Sequence, residues 1–224
     1  MTGIMDKGYH NKRKNRIDLI YRLNRRTHET KCIIEKHFDK SKINYINCLD
    51  IGVADGLMLS RLNNIFKFNK AIGIDMSEEL IKLNKDRNIT LEIGNAENLH
   101  FDNDTFDVIV ACAVIEHINN PNDMLSECYR VLKKDGILII TTPNPFHDKI
   151  ATKIGYFKED DHTETLNIKR LNKLFISNKF NLIDSKYFMF FPFFKLPFEN
   201  QIESFIRFIG LGKIMSNQII IGRK

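Results

Sequence analysis

Hydrophobic and polar positions along the chain predict strands and helices in turn. Short apolar runs that end at glycine, asparagine or aspartate predict strands, and apolar residues three or four positions apart predict helices. The predicted strands are Ile46–Gly52, Ala71–Asp75, Thr90–Ile93, Phe106–Ala111, Gly136–Thr141, Asn181–Tyr187 and Gln218–Ile221. The predicted helices are Ile17–Phe38 (one long helix or two short ones), Gly56–Asn63, Ser77–Lys85, Pro121–Leu132 and Ile168–Asn178. This alternation is typical of an α/β, doubly wound, mostly parallel sheet with helices on both faces.

Composition limits the kind of protein. The chain has 224 residues, of which 43% are hydrophobic and 28% charged, which suits one domain with a substantial core and excludes a wholly disordered chain. No run of about 18 apolar residues predicts a transmembrane helix, and the first residues lack the apolar region of a secretory signal. The four cysteines form no CxxC pair, so we expect reduced, buried thiols in a cytoplasmic protein.

The positive charge is concentrated in one segment. The net charge is +6, but residues 7–31 alone hold nine lysines and arginines against two acidic residues, so the rest of the chain is slightly negative. Apolar residues occur among these charges at near-helical spacing. We therefore expect residues 1–40 to form a basic helical arm packed on a single compact domain of residues 41–224. The arm would cover a ligand site or help to bind a substrate. The alternative is that it contacts nucleic acid or an anionic membrane surface.

The loop after the first predicted strand is the first candidate site. Ligands of doubly wound sheets bind beyond the carboxyl ends of the strands, and this loop is Asp50-Ile51-Gly52-Val53-Ala54-Asp55-Gly56. Small residues at positions 52, 54 and 56 allow backbone amides to approach a ligand, and a helix N-terminus follows. A tight strand-to-helix turn would also need glycine, so this segment alone does not decide for a ligand.

Asp75 ends the second predicted strand, where a carboxylate can accept hydrogen bonds from a ribose diol. Enzymes that bind NAD use an acidic residue there too, so an NAD- or nucleotide-binding oxidoreductase remains an alternative. The loop lacks the GxGxxG spacing of a dinucleotide site, and Asp50 could bind an ammonium group. An amino acid with a sulfonium group suits this acidic loop better than a diphosphate does.

Five segments taken together carry a family resemblance. In chain order they are DIGVADG, GIDMS, GNAENLHF, FDVIVACAVIEHI and VLKKDGILIITTPN, within about residues 46–145. This series resembles the class I S-adenosylmethionine-dependent methyltransferases, in particular the small-molecule group related to the ubiquinone-biosynthesis enzymes. The resemblance implies a Rossmann-like sheet of seven strands with an antiparallel last strand. It also implies that residues 41–224 form a methyltransferase domain with S-adenosyl-L-methionine as cofactor.

The resemblance assigns the cofactor-binding residues one by one. Those under the methionine part of the cofactor are Asp50, Gly52, Ala54 and Gly56, and those near the ribose and adenine are Asp75, Met76, Asn95, Ala96 and Glu97. The family usually has Asp where Asn95 stands, and an amide oxygen can still accept from the adenine amino group. Ala54 replaces the usual middle glycine, which costs little if its φ is negative. Asn95 could instead be an ordinary turn residue.

The end of the fourth predicted strand bears on the methyl acceptor. The segment Ala113–His117 lacks the Pro-Pro-aromatic signature of adenine N-methyltransferases, and Cys112 follows Ala111 rather than the proline of cytosine C5 enzymes. Nucleic-acid bases are therefore unlikely partners. Ubiquinone O-methyltransferases carry a metal-binding Glu three positions before the Glu-His pair, where this chain has Ala113, so we expect no metal site. We expect a small-molecule or sugar- or lipid-linked hydroxyl, methylated on oxygen.

A hydroxyl acceptor benefits from a base, and His is the usual one near neutral pH. His117 is our candidate catalytic residue, and His147 and His162 are alternatives; each could instead be structural. The Phe-rich segment Tyr187–Phe198, with residues 143–170, would shape the acceptor pocket. It could also be a core strand followed by an apolar loop, or a patch touching a membrane surface. An RNA methyltransferase that uses the basic arm and a non-catalytic binding module of this fold remain alternatives. The oligomeric state is left open.

Overall fold

The computed structural model describes residues 16–147, 149 and 166–224, and every structural statement here refers to them. The helices are α1 (Ile17–His37), α2 (Leu57–Phe66), α3 (Glu78–Ile81), α4 (Pro121–Val131), α5 (Ile168–Ser177) and α6 (Glu199–Phe208). The strands are β1 (Asn47–Ile51), β2 (Lys70–Asp75), β3 (Thr90–Ile93), β4 (Phe106–Cys112), β5 (Leu132–Pro143), β6 (Asn181–Phe188) and β7 (Asn217–Arg223). His162 and the first fifteen residues of the arm lie outside the described residues.

The strands form one sheet in the order β3-β2-β1-β4-β5-β7-β6. Strands β1 to β5 pair in parallel, whereas β7 is antiparallel to both β5 and β6. The predicted α/β class, the seven-stranded Rossmann-like sheet and its antiparallel last strand are thus confirmed. The order reverses between β1 and β4, so the loops after these strands flank the crevice in which such sheets bind ligands.

Two apolar layers cover the sheet. One contains α1 and α2 side chains, such as Ile34, Leu59 and Leu62, packed on Val108 and Val110 of β4. The other contains Leu125 of α4 and Phe175 of α5, packed on alternate strand residues. Because successive side chains of a strand face opposite layers, the central strand β4 is apolar almost throughout.

Four details differ from the sequence-based prediction. Helix α3 ends at Ile81 instead of Lys85, because Asn84 and Asp86 form side-chain turns with the backbone that compete with the helix. Strand β5 begins at Leu132, four residues early, and its pairing with β4 is irregular there. Helix α6 was not predicted at all. Cys32 is exposed, although buried thiols were expected; none of the four cysteines is in a disulfide.

Helix α1 is attached to α6 through Arg25, which is 4% exposed. Its guanidinium pairs with Glu199, with Glu203 at 2.9 Å and with Glu29 at 3.3 Å. The Tyr21 hydroxyl donates to Glu199 at 2.7 Å. Burial alone would raise the pKa of Glu199, but the hydrogen bonds from Tyr21 and Arg25 hold that pKa below its usual value. A guanidinium can satisfy several carboxylates at once, and this one does so between two distant segments.

Candidate functional site

The loop between β1 and α2 turns sharply at two glycines. Gly52 has φ +72° and Gly56 has φ +78°, a region in which side chains are disfavoured. A Cβ on Gly52 would lie 2.2 Å from the Val114 side chain, so this loop touches the turn that follows β4. The backbone amides of Gly52 and Val53 donate to the Ile74 carbonyl of β2, which fixes the loop against the neighbouring strand end.

Ala54 has a left-handed backbone with φ +52°. The sequence analysis allowed a low cost only for a negative φ, so this substitution for glycine is strained, by about 1 kcal/mol. Its amide donates to the Asp75 carboxylate at 2.8 Å, which holds the strained conformation. The strain therefore lies in the segment expected to face a ligand.

Asp75 lies at the carboxyl end of β2, as predicted. One carboxylate oxygen accepts from the Ala54 amide and the other from the Ser77 amide, each at 2.8 Å. A carboxylate offers about four lone-pair sites, so two remain for a diol. The Met76 side chain beside it is 57% exposed and can cover a flat ring.

Asp50 is a buried carboxylate that no cation neutralises. It is 3% exposed, and burial, together with the charge of Asp75, raises the pKa of its carboxyl to about 8. Within residues 16–147 and 166–224, no ion pair involves Asp50 or Asp75. Two carboxylates in this arrangement favour a cationic ligand over a diphosphate.

Asn95, Ala96 and Glu97 form a turn after β3. The Asn95 side-chain oxygen accepts from the Glu97 amide at 3.0 Å, and Ala96 is buried. The Glu97 carboxylate accepts from the Asn120 amide at 2.7 Å, just before α4. In the structure, therefore, Asn95 stabilises its own turn while keeping amide hydrogens to donate, and Glu97 links this turn to the start of α4.

His117 ends a 3-10 turn, Ile115–His117, directly after β4. Because Val114 touches the Gly52 loop, the turn lies at the same edge of the sheet as Asp50 and Asp75. His117 is half-buried, and so is His147, which follows β5 at this edge. The predicted site residues of the described chain therefore all lie at the carboxyl ends of strands β1 to β5 or in the segments directly after them.

Comparisons with known proteins agree with this geometry. A family model described as a methyltransferase domain matches residues 49–140, the stretch that holds every cofactor residue proposed above. The chain is therefore similar, over these residues, to S-adenosylmethionine-dependent methyltransferases. It is 34% identical to the mitochondrial ubiquinone biosynthesis O-methyltransferase of Rattus norvegicus, over 43% of this chain and 30% of that protein.

Two further relatives extend the comparison. A probable S-adenosylmethionine-dependent methyltransferase of Mycolicibacterium smegmatis is 28% identical over 61% of this chain and 52% of its own length. The chain thus aligns with only about a third to a half of these relatives. A methyltransferase structure from Thermotoga maritima covers 97% of this chain and 95% of its own, with TM-score 0.67 and 20% identity. That likeness shows a shared fold.

The residues at this edge of the sheet fit S-adenosylmethionine, the methyl donor that gives these relatives their name. S-adenosylmethionine carries an ammonium and a sulfonium group, and Asp50 offers a buried, unpaired carboxylate to a cation. Asp75 keeps lone pairs for ribose hydroxyls. The glycine turns bring loop amides to the same edge.

A polar group that the sequence analysis missed lies at the tips of β4 and β5. Burial, then the charge of Asp50, raises the pKa of the Cys112 thiol to about 11, against weaker lowering influences of Thr141, Arg26 and Thr30. The buried hydroxyls of Thr30 and Thr141 have no hydrogen-bond partner of normal geometry among the described residues. The arm helix α1 thus brings Arg26 and Thr30 to the strand tips. In the sequence, the one signal for this placement is that Arg26 and Thr30 are four positions apart and so share one face of the helix.

A cavity of about 540 Å³ lies between α1 and the beginning of α6. Its lining includes Asn24, His28, Lys195 and Asn200. It shares no residue with the strand-tip set, so it is separate from the proposed cofactor site. In the described residues, no helix is long and apolar enough to cross a membrane.

Proposed function

We propose that the protein transfers the methyl group of S-adenosylmethionine to a hydroxyl of a small molecule, or of a sugar- or lipid-linked acceptor, without a metal ion. The observation that carries the proposal is the contact between the Gly52 loop and the Val114 side chain. This contact sets the turn that holds His117 against the loop assigned to the cofactor. A base and a methyl donor would therefore share one edge of the sheet.

The cofactor supplies a methyl group on a sulfonium that leaves as a neutral thioether. Asp75 would accept hydrogen bonds from the ribose hydroxyls, and Asp50 would pair with the ammonium group. Loop amides near Gly52 and Gly56 would line the methionine part, while Asn95 and Met76 would lie beside the adenine. These contacts mainly hold acceptor and methyl group in line, which is the largest contribution that an enzyme makes to such a displacement.

His117 would accept the proton of the acceptor hydroxyl. The hydroxyl oxygen bonds the methyl carbon while the carbon–sulfur bond breaks and its electron pair stays on sulfur, so the proton is the one product that needs a receiver. A neutral imidazole is suited to this near pH 7. His147, at the tip of β5, is the second candidate for this role.

The metal-free part of the proposal rests on two residues. Ala113 stands where the related ubiquinone enzymes carry a metal-binding glutamate, and a methyl group cannot ligate a metal. The Glu116 side chain is 3% exposed and accepts from the Thr142 hydroxyl at 2.9 Å. Burial also raises the pKa of Glu116. A carboxylate engaged in this way supports the strand tips rather than a solvent-accessible metal.

An RNA acceptor is less well supported, because several arm cations contact the protein itself. Arg22 donates to the Pro192 carbonyl, Arg25 to buried glutamates, and Arg26 to the Asn217 side chain. Phosphate contacts would need these groups at the surface. We propose instead that the arm closes the site, with Arg26 and Thr30 facing the acceptor.

The direct test is a transfer assay with cofactor labelled in the methyl group. Sugars, phenols and lipid-linked hydroxyl compounds serve as acceptors, and product analysis identifies the methylated atom. We expect O-methylation by the wild type and a loss of at least about 100-fold in kcat for His117→Ala. The comparison variant is His147→Ala, which should keep most of the activity; a large loss there with full turnover by His117→Ala would assign the base to His147 instead.

The outcomes separate the parts of the proposal. Methyl on nitrogen or carbon contradicts O-methylation. Full turnover by His117→Ala across pH 6–8 contradicts the assigned base and leaves the methyl transfer standing. Cofactor binding with no turnover on any acceptor would indicate a non-catalytic module. Loss of activity on treatment with a chelator, restored by a divalent cation, would contradict the metal-free step.

A further inference from the structure

Helix α6 turns its two glutamates inward and most of its large apolar residues outward, although Ile206 is buried. The Glu203 side chain is 2% exposed and pairs with Arg25 at 2.9 Å, and Glu199 pairs with the same guanidinium. The opposite arrangement is usual for a helix on the surface of a globular protein. The ion pairs with Arg25 account for the burial of the two glutamates. They do not account for the exposure of the apolar residues on the outward face.

The outward face forms a continuous apolar stripe. Phe198, Ile202, Phe205 and Ile209 follow each other at helical spacing, and Phe208 lies beside them. The Phe205 side chain is 62% exposed and that of Phe208 is 88% exposed. Isolated exposed apolar residues are common, whereas an aromatic-rich stripe of five is typical of an interaction surface.

Cations flank this stripe. The exposed Lys195 precedes it and the exposed Lys213 follows it. The basic arm joins the same region, because Arg22 of α1 donates to the Pro192 carbonyl at 3.2 Å. No exposed acidic side chain lies on the stripe itself; the two glutamates of α6 face Arg25. Aromatic residues with a basic rim are suited to the boundary of an anionic bilayer.

We propose that α6 and its flanks dock this protein on an anionic membrane surface. The Phe205 and Phe208 rings enter the acyl boundary, and Lys195 and Lys213 contact lipid phosphates. The helix lies in the plane of the interface. This proposal goes beyond the proposed reaction and does not depend on it.

A second copy of the chain is the less suitable occupant. A two-fold pairing of the stripe on itself would bring the Lys195 and Lys213 side chains of both copies together without exposed acids between them. An anionic surface neutralises the same cations. Charge complementarity therefore favours the membrane.

The test is co-sedimentation of the full chain with phosphatidylcholine vesicles, with and without about 30% phosphatidylserine. We expect binding to the anionic vesicles that decreases on raising the salt from about 0.1 to 0.5 M. Phe205→Ser/Phe208→Ser should weaken it at least about tenfold. Lys195→Glu/Lys213→Glu should weaken binding only to the anionic vesicles, by about tenfold.

Tyr45→Ser is the matched control. Tyr45 is also an exposed aromatic residue, 72% accessible, but it precedes β1 at the opposite edge of the sheet, and its variant should bind as the wild type does. Unchanged melting of the serine variants would show that both fold. Absent vesicle binding, or equal binding by the phenylalanine variant, overturns the proposal. It is also overturned if that variant dissociates a dimer of a wild type that binds no vesicles.

Discussion

Two pairs of carboxylates lie in different parts of the fold and differ in what neutralises them. In each pair one member is buried, Glu203 or Asp50, and the other is half-buried, Glu199 or Asp75. Beside α1, Glu199 and Glu203 share the guanidinium of Arg25. At the strand tips, Asp50 and Asp75 lie close enough for one to raise the pKa of the other, and no described side chain forms an ion pair with either.

The difference separates a structural role from a binding role. A buried carboxylate with its own cation holds two segments together, and its removal affects folding. A buried carboxylate without one costs stability in the absence of ligand and gains a partner when a cation binds. The first group therefore attaches the arm, and the second supports our proposal that a cationic cofactor binds at the strand tips.

The largest effect is expected at Arg25. Arg25→Met leaves Glu199 and Glu203 buried without their main cation, so unfolding should become easier by about 3 kcal/mol at pH 7. The orphaned carboxyls would then have raised pKa values. A raised pKa favours the folded state at low pH, so the deficit should shrink between pH 7 and pH 5. Urea denaturation at both values measures this.

Arg61→Met is the matched control for this change. Arg61 also bonds α1, by donating to Asn24 at 2.5 Å, but near the surface. The Arg61→Met change should lower the free energy of unfolding by less than about 1 kcal/mol. Equal losses in both variants would mean that burial of the glutamates does not matter, and the comparison of the two groups would fail.

An intermediate effect is expected at Asp50, in cofactor binding. With a pKa of about 8, Asp50 is largely protonated at pH 6, and an ammonium partner must displace that proton. Affinity for S-adenosylhomocysteine should therefore rise up to about tenfold per unit from pH 6 to pH 7.5. Calorimetry in buffers of different ionisation enthalpy should show release of close to one proton at pH 6.5. Asp50→Asn should remove both effects.

The stability of the ligand-free protein should decrease as the pH rises, whereas cofactor affinity increases. Because the pKa of Asp50 is higher in the folded state than in the unfolded chain, its contribution is present below about pH 4 and is lost as the pH rises towards 8. Asp50→Asn should flatten this dependence. Binding that releases no proton would contradict contact between Asp50 and the ammonium group, even if the cofactor binds.

The two regions also differ in how well the sequence predicts them. The proposed cofactor site at the strand tips is formed by residues a few positions apart, such as Gly52 and Gly56, and by Asp50 and Asp75 at the strand ends. Periodicity and loop composition are sufficient to place these. The antiparallel last strand followed from the family resemblance instead of from any residue pattern, and the strand order was not predicted.

Other features depend on tertiary contacts between distant segments. Arg25 and Glu199 are 174 positions apart, and no local pattern pairs them. The same holds for Thr30 beside Cys112. Helix α6 did have a local signal, since Phe198, Ile202 and Phe205 are spaced helically, but Pro192 and Pro197 in the segment before it are typical of a loop. The left-handed backbone of Ala54 could not be derived from composition.

The smallest expected effect concerns this backbone at the cofactor edge. Ala54 and Ala113 both have positive φ, +52° and +58°, so glycine should relieve strain at either position. The relief of strain outweighs the loss of stability that comes from the extra flexibility of glycine in the unfolded chain. The free energy of unfolding should therefore rise by about 0.5 kcal/mol. Ala71→Gly, at a strand position outside the left-handed region, should instead lose about 1 kcal/mol. Urea denaturation of the three variants measures whether each gains or loses free energy of unfolding.

The same change at Ala54 also tests cofactor binding. Because the Ala54 amide holds Asp75, Ala54→Gly should keep cofactor affinity within about threefold if that hydrogen bond alone positions the carboxylate. A larger loss would mean that the strain itself keeps this edge of the sheet ready for its ligand.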